Sequence, residues 1–319
     1  MLDIYTNICK CFHPIESYKM SLSSKLFISY WECFILKIIL MSDVIKFKAW
    51  SLLYKYPKHI CNDLNNICQI ACQFNYIPVL EWMRITKKQI SVVAPDLCAI
   101  YGSLETLHWL QTNYPRNIRR MTLSLAAEYD HFDIVEYLHK TTFRNIKTNS
   151  IDHACRSKNL ELVKWLHEMR YDECTFTAMD NAADVGSIDI LNFLHKNRTE
   201  GCSSSAIDYA ASNEHLDVLQ WFHHHNIKSG TTRAMDNACI NGNLNILRYL
   251  YLKLNLKTSE DGVSLAAVQG HKHIVKWLLE HELPSNLFVA FICACNSQHF
   301  DIAKIVRDYM LSKNYIKND

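Results

Sequence analysis

The stretch Thr175-Phe176-Thr177-Ala178-Met179-Asp180-Asn181-Ala182-Ala183-Asp184-Val185-Gly186-Ser187-Ile188-Asp189-Ile190-Leu191-Asn192-Phe193-Leu194 decides the fold, because its pattern recurs along the chain. Its small pair, Ala182-Ala183, returns as Cys98-Ala99, Ala126-Ala127, Ala154-Cys155, Ala210-Ala211, Ala238-Cys239, Ala266-Ala267 and Ala294-Cys295, always at an interval of 28 residues. An earlier pair, Ala71-Cys72, stands 27 residues before the first of these. A fixed period of about twenty to fifty residues marks a solenoid, in which each unit buries its apolar face only against its neighbours. Such a stack supplies a surface rather than a pocket, so the period favours binding over catalysis.

Within the unit, Thr175 is placed to cap a helix, and Ser203, Thr231 and Ser259 hold the same position in the next three units. Met179, Ala182 and Ala183 then share one helical face, and small residues there let the neighbouring helix approach closely. Four residues after the first small residue comes Gly186, matched by Gly102, Gly242 and Gly270, with Asn75 and Asp130 in two other units. These residue types tolerate a left-handed turn, so the chain reverses here; Lys158, Glu214 and Gln298 depart from the rule and are expected to be strained. A second amphipathic helix follows, with Ile188, Ile190-Leu191 and Phe193-Leu194 as its apolar stripe. Its aromatic column runs Trp82, Trp109, Tyr137, Trp165, Phe193, Trp221, Tyr249 and Trp277, then fails at Ile305, as suits a terminal cap. The column's regular apolar spacing reads as core.

Ala266-Ala267 through Gly270, Ile274-Val275 and Trp277-Leu278 resembles the ankyrin repeat, and the resemblance covers about residues 60–310. The family's Thr-Pro-Leu-His segment is replaced here by Thr177-Ala178-Met179-Asp180, and the unit is about five residues shorter than the family's usual 33. Shortened units of this kind are similar to the ankyrin-like arrays of amoebae, oomycetes and giant viruses. The resemblance implies an all-α, ankyrin-like solenoid of stacked antiparallel helix pairs with short or absent β-hairpin fingers. The expected organisation is an N-terminal helical cap or degenerate first repeat at 1–59, an array of about nine units at 60–311, and a C-terminal tail at 312–319.

Bulk composition agrees with a folded binding protein. The 319 residues are 49% hydrophobic and 21% charged, and 34 Lys+Arg against 32 Asp+Glu leave a formal charge of +2. That balance offers no broad field for nucleic acid or an anionic membrane. The 13 cysteines are odd in number, and Cys72, Cys155, Cys239 and Cys295 fill the small position, where a reduced thiol acts as a small hydrophobe. A reducing compartment follows, cytoplasmic with the nucleus as the alternative. The apolar stretch Leu26–Leu40 is too short to span a bilayer and carries Glu32 and Lys37.

Several columns carry ionisable residues without converging on a reaction centre. Asp96, Asp152, Asp180, Asp208 and Asp236 each precede the small pair by two residues and are expected to bond cap hydroxyls or amides of neighbouring units. His139, His167, His195 and His223 close the second helices, where a helix C-terminus favours positive charge. One ligand per unit does not build a zinc site, and neither His223-His224-His225 nor Cys9-x-Cys11-x-His13 has a second pair at zinc spacing. No phosphate loop or nucleophile elbow occurs. No catalytic residue, metal or cofactor is therefore assigned.

By the resemblance, partners bind a concave face lined by first helices and the turns after them. The varying positions there are the two after each small pair: Ile100, Tyr101, Glu128, Tyr129, Arg156, Ser157, Asp184, Val185, Ser212, Asn213, Ile240, Asn241, Val268 and Gln269. Their mixed aromatic, charged and small apolar character fits a protein partner. The expectation is a monomeric, non-enzymatic protein-interaction scaffold, without nucleic acid or membrane as partner. The alternative is a substrate-recruiting adaptor of a ubiquitin ligase, through an N-terminal segment (Leu26–Leu40, then Trp50) only vaguely similar to an F-box.

Overall fold

The computed structural model describes residues 64–143, 148–169, 173–227, 230–283 and 285–315. The expected cap at 1–59, the Leu26–Leu40 segment with Trp50 and the Cys9-x-Cys11-x-His13 motif lie outside the described residues. The chain divides into two compact units, Met1–Ser91 and Val92–Asp319.

The first unit contains the helix pair α1 (Leu64–Gln73) and α2 (Ile77–Ile85), joined by Asn75 at φ 52°. Ala71, Cys72, Leu80 and Trp82 are buried in it. The second unit holds eight consecutive pairs. They are α3 (Ala94–Tyr101) with α4 (Leu104–Asn113), α5 (Arg120–Glu128) with α6 (Phe132–Thr141), and α7 (Ser150–Ala154, continued by a 3-10 turn at Cys155–Ser157) with α8 (Leu160–Glu168). Then come α9 (Thr177–Asp184) with α10 (Ile188–Asn197), α11 (Ser205–Ser212) with α12 (Leu216–His224), and α13 (Thr232–Asn241) with α14 (Leu244–Leu254). The last are α15 (Gly262–Val268) with α16 (Lys272–Glu280) and α17 (Leu287–Asn296) with α18 (Phe300–Ser312). No strand occurs among the described residues.

Within the second unit, each first helix packs on the first helix of the next pair, and the small residues make that approach feasible. Every small pair from Cys98-Ala99 to Ala266-Ala267 is fully buried; in the last pair Ala294 is buried and Cys295 half-buried. The first small residue has a second task. Its carbonyl accepts the amide five residues on, as Ala182 does from Ser187 at 2.9 Å and Ala210 from His215 at 2.8 Å. That bond closes the helix only when the intervening residue is left-handed. Gly102, Gly186, Gly242 and Gly270 meet the requirement, and Lys158, Glu214 and Gln298 adopt it too, at φ 62°, 63° and 64°.

The aspartate column ties one unit to the next. Asp152 accepts the Thr175 amide at 2.9 Å and its hydroxyl at 2.7 Å; Asp208 accepts the same groups of Thr231 at 3.0 and 2.8 Å. Asp180 accepts from the amide and hydroxyl of Ser203, and Asp236 from the amide of Ser259. The first column member, Asp96, accepts from Thr122 and pairs with Arg119. The same hydroxyls accept the amide two residues on, at 3.1 Å for Thr175, Ser203 and Thr231, and so start their own helices. One side chain thus begins a helix and receives the preceding unit's carboxylate.

A second coupling escaped the sequence reading. Each turn glycine is followed 29 residues later by a histidine: Gly102 by His131, Gly186 by His215, Gly242 by His271 and Gly270 by His299. The imidazole occupies the space a side chain would fill, since a Cβ on Gly186 would lie 2.7 Å from the His215 ring. His215 Nε2 then donates to the Asp184 carbonyl at 3.1 Å, and His131 to that of Ile100 at 3.0 Å. After the turn residues Asp130, Lys158 and Glu214, the later position holds Asn159, Ser187 and Asn243 instead.

Two expectations need correction. The aromatic column is only partly core: Trp82, Trp221 and Trp277 are buried, whereas Trp109, Tyr137, Trp165, Phe193 and Tyr249 stay half-buried. From Tyr137 to Tyr249 these rings meet histidines of the preceding unit edge-on, as His139 meets Trp165 and His167 meets Phe193 at ring separations of 5.2 and 5.4 Å. The last described pair also lacks a cap's polar outer face. Ile292 occupies the aspartate position and stands 54% exposed beside the exposed Phe288.

Gly186→Ala is expected to cost about 2 kcal/mol, from a left-handed alanine plus a displaced imidazole. Adding His215→Asn should recover part of that loss in a double-mutant cycle by urea unfolding, because Glu214 with Asn243 already carries the alternative pairing. Independent losses that simply add would show that the two side chains do not interlock.

Burial pushes the Asp180 carboxyl above its ordinary 3.8, with the Ser203 hydroxyl and amide acting in the opposite direction. The folded chain therefore takes up this proton before the unfolded chain does. Its contribution to stability is smallest at neutral pH and grows as pH falls through the folded pKa towards 3.8. The stability difference between the wild type and Asp180→Asn should accordingly shift in the wild type's favour between pH 7 and pH 4, by denaturant titration. A pH-independent difference would refute this.

Candidate partner-binding surface

The positions after each small pair lie at the ends of the first helices, where the chain turns outward before the second helix. The structure sorts them into two classes by what they touch. The polar members in the middle are engaged with their neighbours. The Arg156 guanidinium reaches Asp184 at 3.0 Å, Asn181 at 3.1 Å and Glu128 at 3.5 Å, spanning three units. Glu128 also meets His153 at 2.8 Å. Asn213 donates to the Asp184 carboxylate at 2.7 Å, and Asn241 to the Ser212 carbonyl at 2.7 Å. Ser157 donates to the Ala154 carbonyl at 2.8 Å, inside its own unit.

The apolar members behave differently. Tyr101, Tyr129, Ile240 and Val268 are 38%, 50%, 36% and 40% exposed. Ile100 and Val185 are half-buried, and Gln269 is exposed. Exposed apolar residues therefore flank a polar centre whose side chains are already bonded to one another. That separation was hidden in the sequence, where all these positions looked equally variable.

Several ionisable side chains of this surface are engaged with neighbouring units. The column carboxylates are spent on cap groups of neighbouring units. Buried thiols are pushed towards the protonated form, Cys174 up to about 12, by desolvation first and by Asp152 second. Among the described residues, no group of three or more His, Cys, Asp or Glu is placed to hold a metal ion. Histidines of the second helices lie in last turns, as at His139 and His195, and stack on aromatic edges of the next unit.

Residues 151–195, running from α7 through α10, match the family described as ankyrin repeats (many copies). That matched segment is similar to the ankyrin-repeat family. It takes in two successive first helices of the array and the aspartate contact between Asp152 and Thr175. No curated protein matches the chain. Ankyrin repeats as a class mediate protein–protein interaction, and no described helix of this array is long and apolar enough to cross a membrane.

The three-unit ladder through Arg156 is partly solvated, with its side chain 43% exposed, so its net contribution is small. Arg156→Ala should lower stability by less than about 1 kcal/mol at low salt, with the difference vanishing near 1 M salt. A larger, salt-independent loss would mean that Arg156 supports packing rather than charge pairing.

Proposed function

We propose that this chain is a non-enzymatic, intracellular interaction array that binds a protein partner on the surface of its first helices and following turns. The observation carrying the reading is the exposure of Tyr101, Tyr129, Ile240 and Val268 in a column whose polar members bond to neighbouring units. Apolar groups at such positions gain nothing for the fold, yet aromatic and aliphatic side chains are what a partner desolvates most productively. Rigid coupling between units keeps this surface preorganised, which lowers the ordering cost of binding. A near-neutral net charge of +2 accords with a protein partner rather than a nucleic acid.

Affinity capture should compare the wild type with Tyr101→Ser/Tyr129→Ser and with Ile240→Ser/Val268→Ser. A partner recovered by the wild type and depleted at least fivefold in one variant, with all three melting alike, is the expected result. Identical partner lists from all three baits would remove the column from consideration.

A further inference from the structure

We infer that the first two helix pairs of the second unit carry a docking site for an acidic amphipathic helix, a reading that rests on the protein-binding function proposed above. The repeats provide their own control. Three positions, spaced i, i+4 and i+8 along each first helix and its cap, hold Val93, half-buried Leu97 and Tyr101 at α3, and Met121, half-buried Leu125 and Tyr129 at α5. The third unit fills the same positions with Asn149, His153 and Ser157, on a first helix that passes into a 3-10 turn at Cys155–Ser157 and still stacks on its neighbours. The fold therefore accepts polar residues there, and nothing in the packing of the repeat demands the six apolar ones. Four of them stand well out of the core: Val93 at 41%, Tyr101 at 38%, Met121 at 46% and Tyr129 at 50% exposed.

Geometry selects the kind of ligand. Each stripe runs about 12 Å along its helix, and the two stripes lie about 8–10 Å apart, the usual spacing of packed helices. Two ridges at that separation leave a furrow that takes one row of side chains. An amphipathic helix offers such a row at i, i+4 and i+7, with a matching pitch. An extended ligand would gain main-chain bonds only at an open sheet edge, and no strand occurs among the described residues.

Charge selects its sign. Arg116, in the 3-10 turn Pro115–Asn117 that precedes α5, and Arg120, its first residue, are exposed and make no ion pair among the described residues, whereas Arg119 between them is held by Asp96. At the other end of the stripes Glu128 is committed to His153 and Arg156. The charge left for a ligand is therefore positive and sits at one end, so acidic residues at the facing end of the helix complement it.

The test is a random 16-residue peptide display library selected against the full chain. Enriched peptides are expected to carry large apolar residues at i, i+4 and i+7 with at least two acidic residues towards one end. Synthetic versions should bind at least tenfold more weakly to Met121→Asn/Leu125→His, which copies the third unit, and at least fivefold more weakly to Arg116→Glu/Arg120→Glu. The arginine variant lies wholly on the surface and keeps the test valid if the first pair disturbs folding, as judged by melting. Enriched peptides that are basic or aperiodic, peptides indifferent to both variants, or no enrichment at all would overturn the assignment. Those outcomes leave the broader reading standing, because a partner depleted by Ile240→Ser/Val268→Ser would still place binding elsewhere on the column.

Discussion

Two first helices can lie side by side in this array only where neither presents more than a methyl or a thiol at the line of contact. The inter-unit bonds of the carboxylate column and of the turns depend on that approach. The 23-residue reach from Asp152 to Thr175, or from Asp208 to Thr231, spans neighbouring helices that a leucine in the small pair would force apart. The His215 imidazole likewise reaches the Asp184 carbonyl only because the turn of the preceding unit comes close and Gly186 leaves room. Close packing is thus the condition for the polar contacts, and the polar contacts fix the register in which the helices pack.

The helix pairs were legible in the sequence because their determinants are local and repeated. A small pair, a turn residue and an apolar stripe fall within one unit, and their period of 28 amplifies a signal that one copy would leave ambiguous. The carboxylate column was legible for the same reason, since hydroxyl and acid recur at a constant offset. The glycine–histidine coupling was written just as plainly, but only as a correlation between successive units. Reading the turn position alone explained glycine by its backbone freedom, although Lys158 and Glu214 adopt the same left-handed conformation. What distinguishes the glycines is the ring packed against them, a feature outside their own unit.

The binding column was only half legible. Variation marked the right stretch of each unit, yet it could not separate residues that vary because neighbouring units answer them from residues that vary unanswered. Glu128, Arg156, Asp184 and Asn213 belong to the first class, since each change along that run is met by a complementary partner one unit away. Tyr101, Tyr129, Ile240 and Val268 belong to the second. The half-buried aromatics of the second helices were misjudged for a related reason. Their apolar spacing identifies the inward stripe but carries no record of the histidines that cover their edges.

An array whose units couple only to their neighbours separates the residues that make it fold from those that face outward. The folding constraints fall on the small pair, the turn, the cap hydroxyl and the carboxylate, all of which point along the stack. The remaining faces of the first helices point across it and carry no share of those contacts. A run of units can therefore exchange Asn149, His153 and Ser157 for Met121, Leu125 and Tyr129 while the helix pair still forms and stacks. Apolar character concentrated at α3 and α5 has an energetic cost in water that the fold does not recover. A ligand that desolvates the patch does recover it, and so the residues least needed for stability are the ones most informative about function.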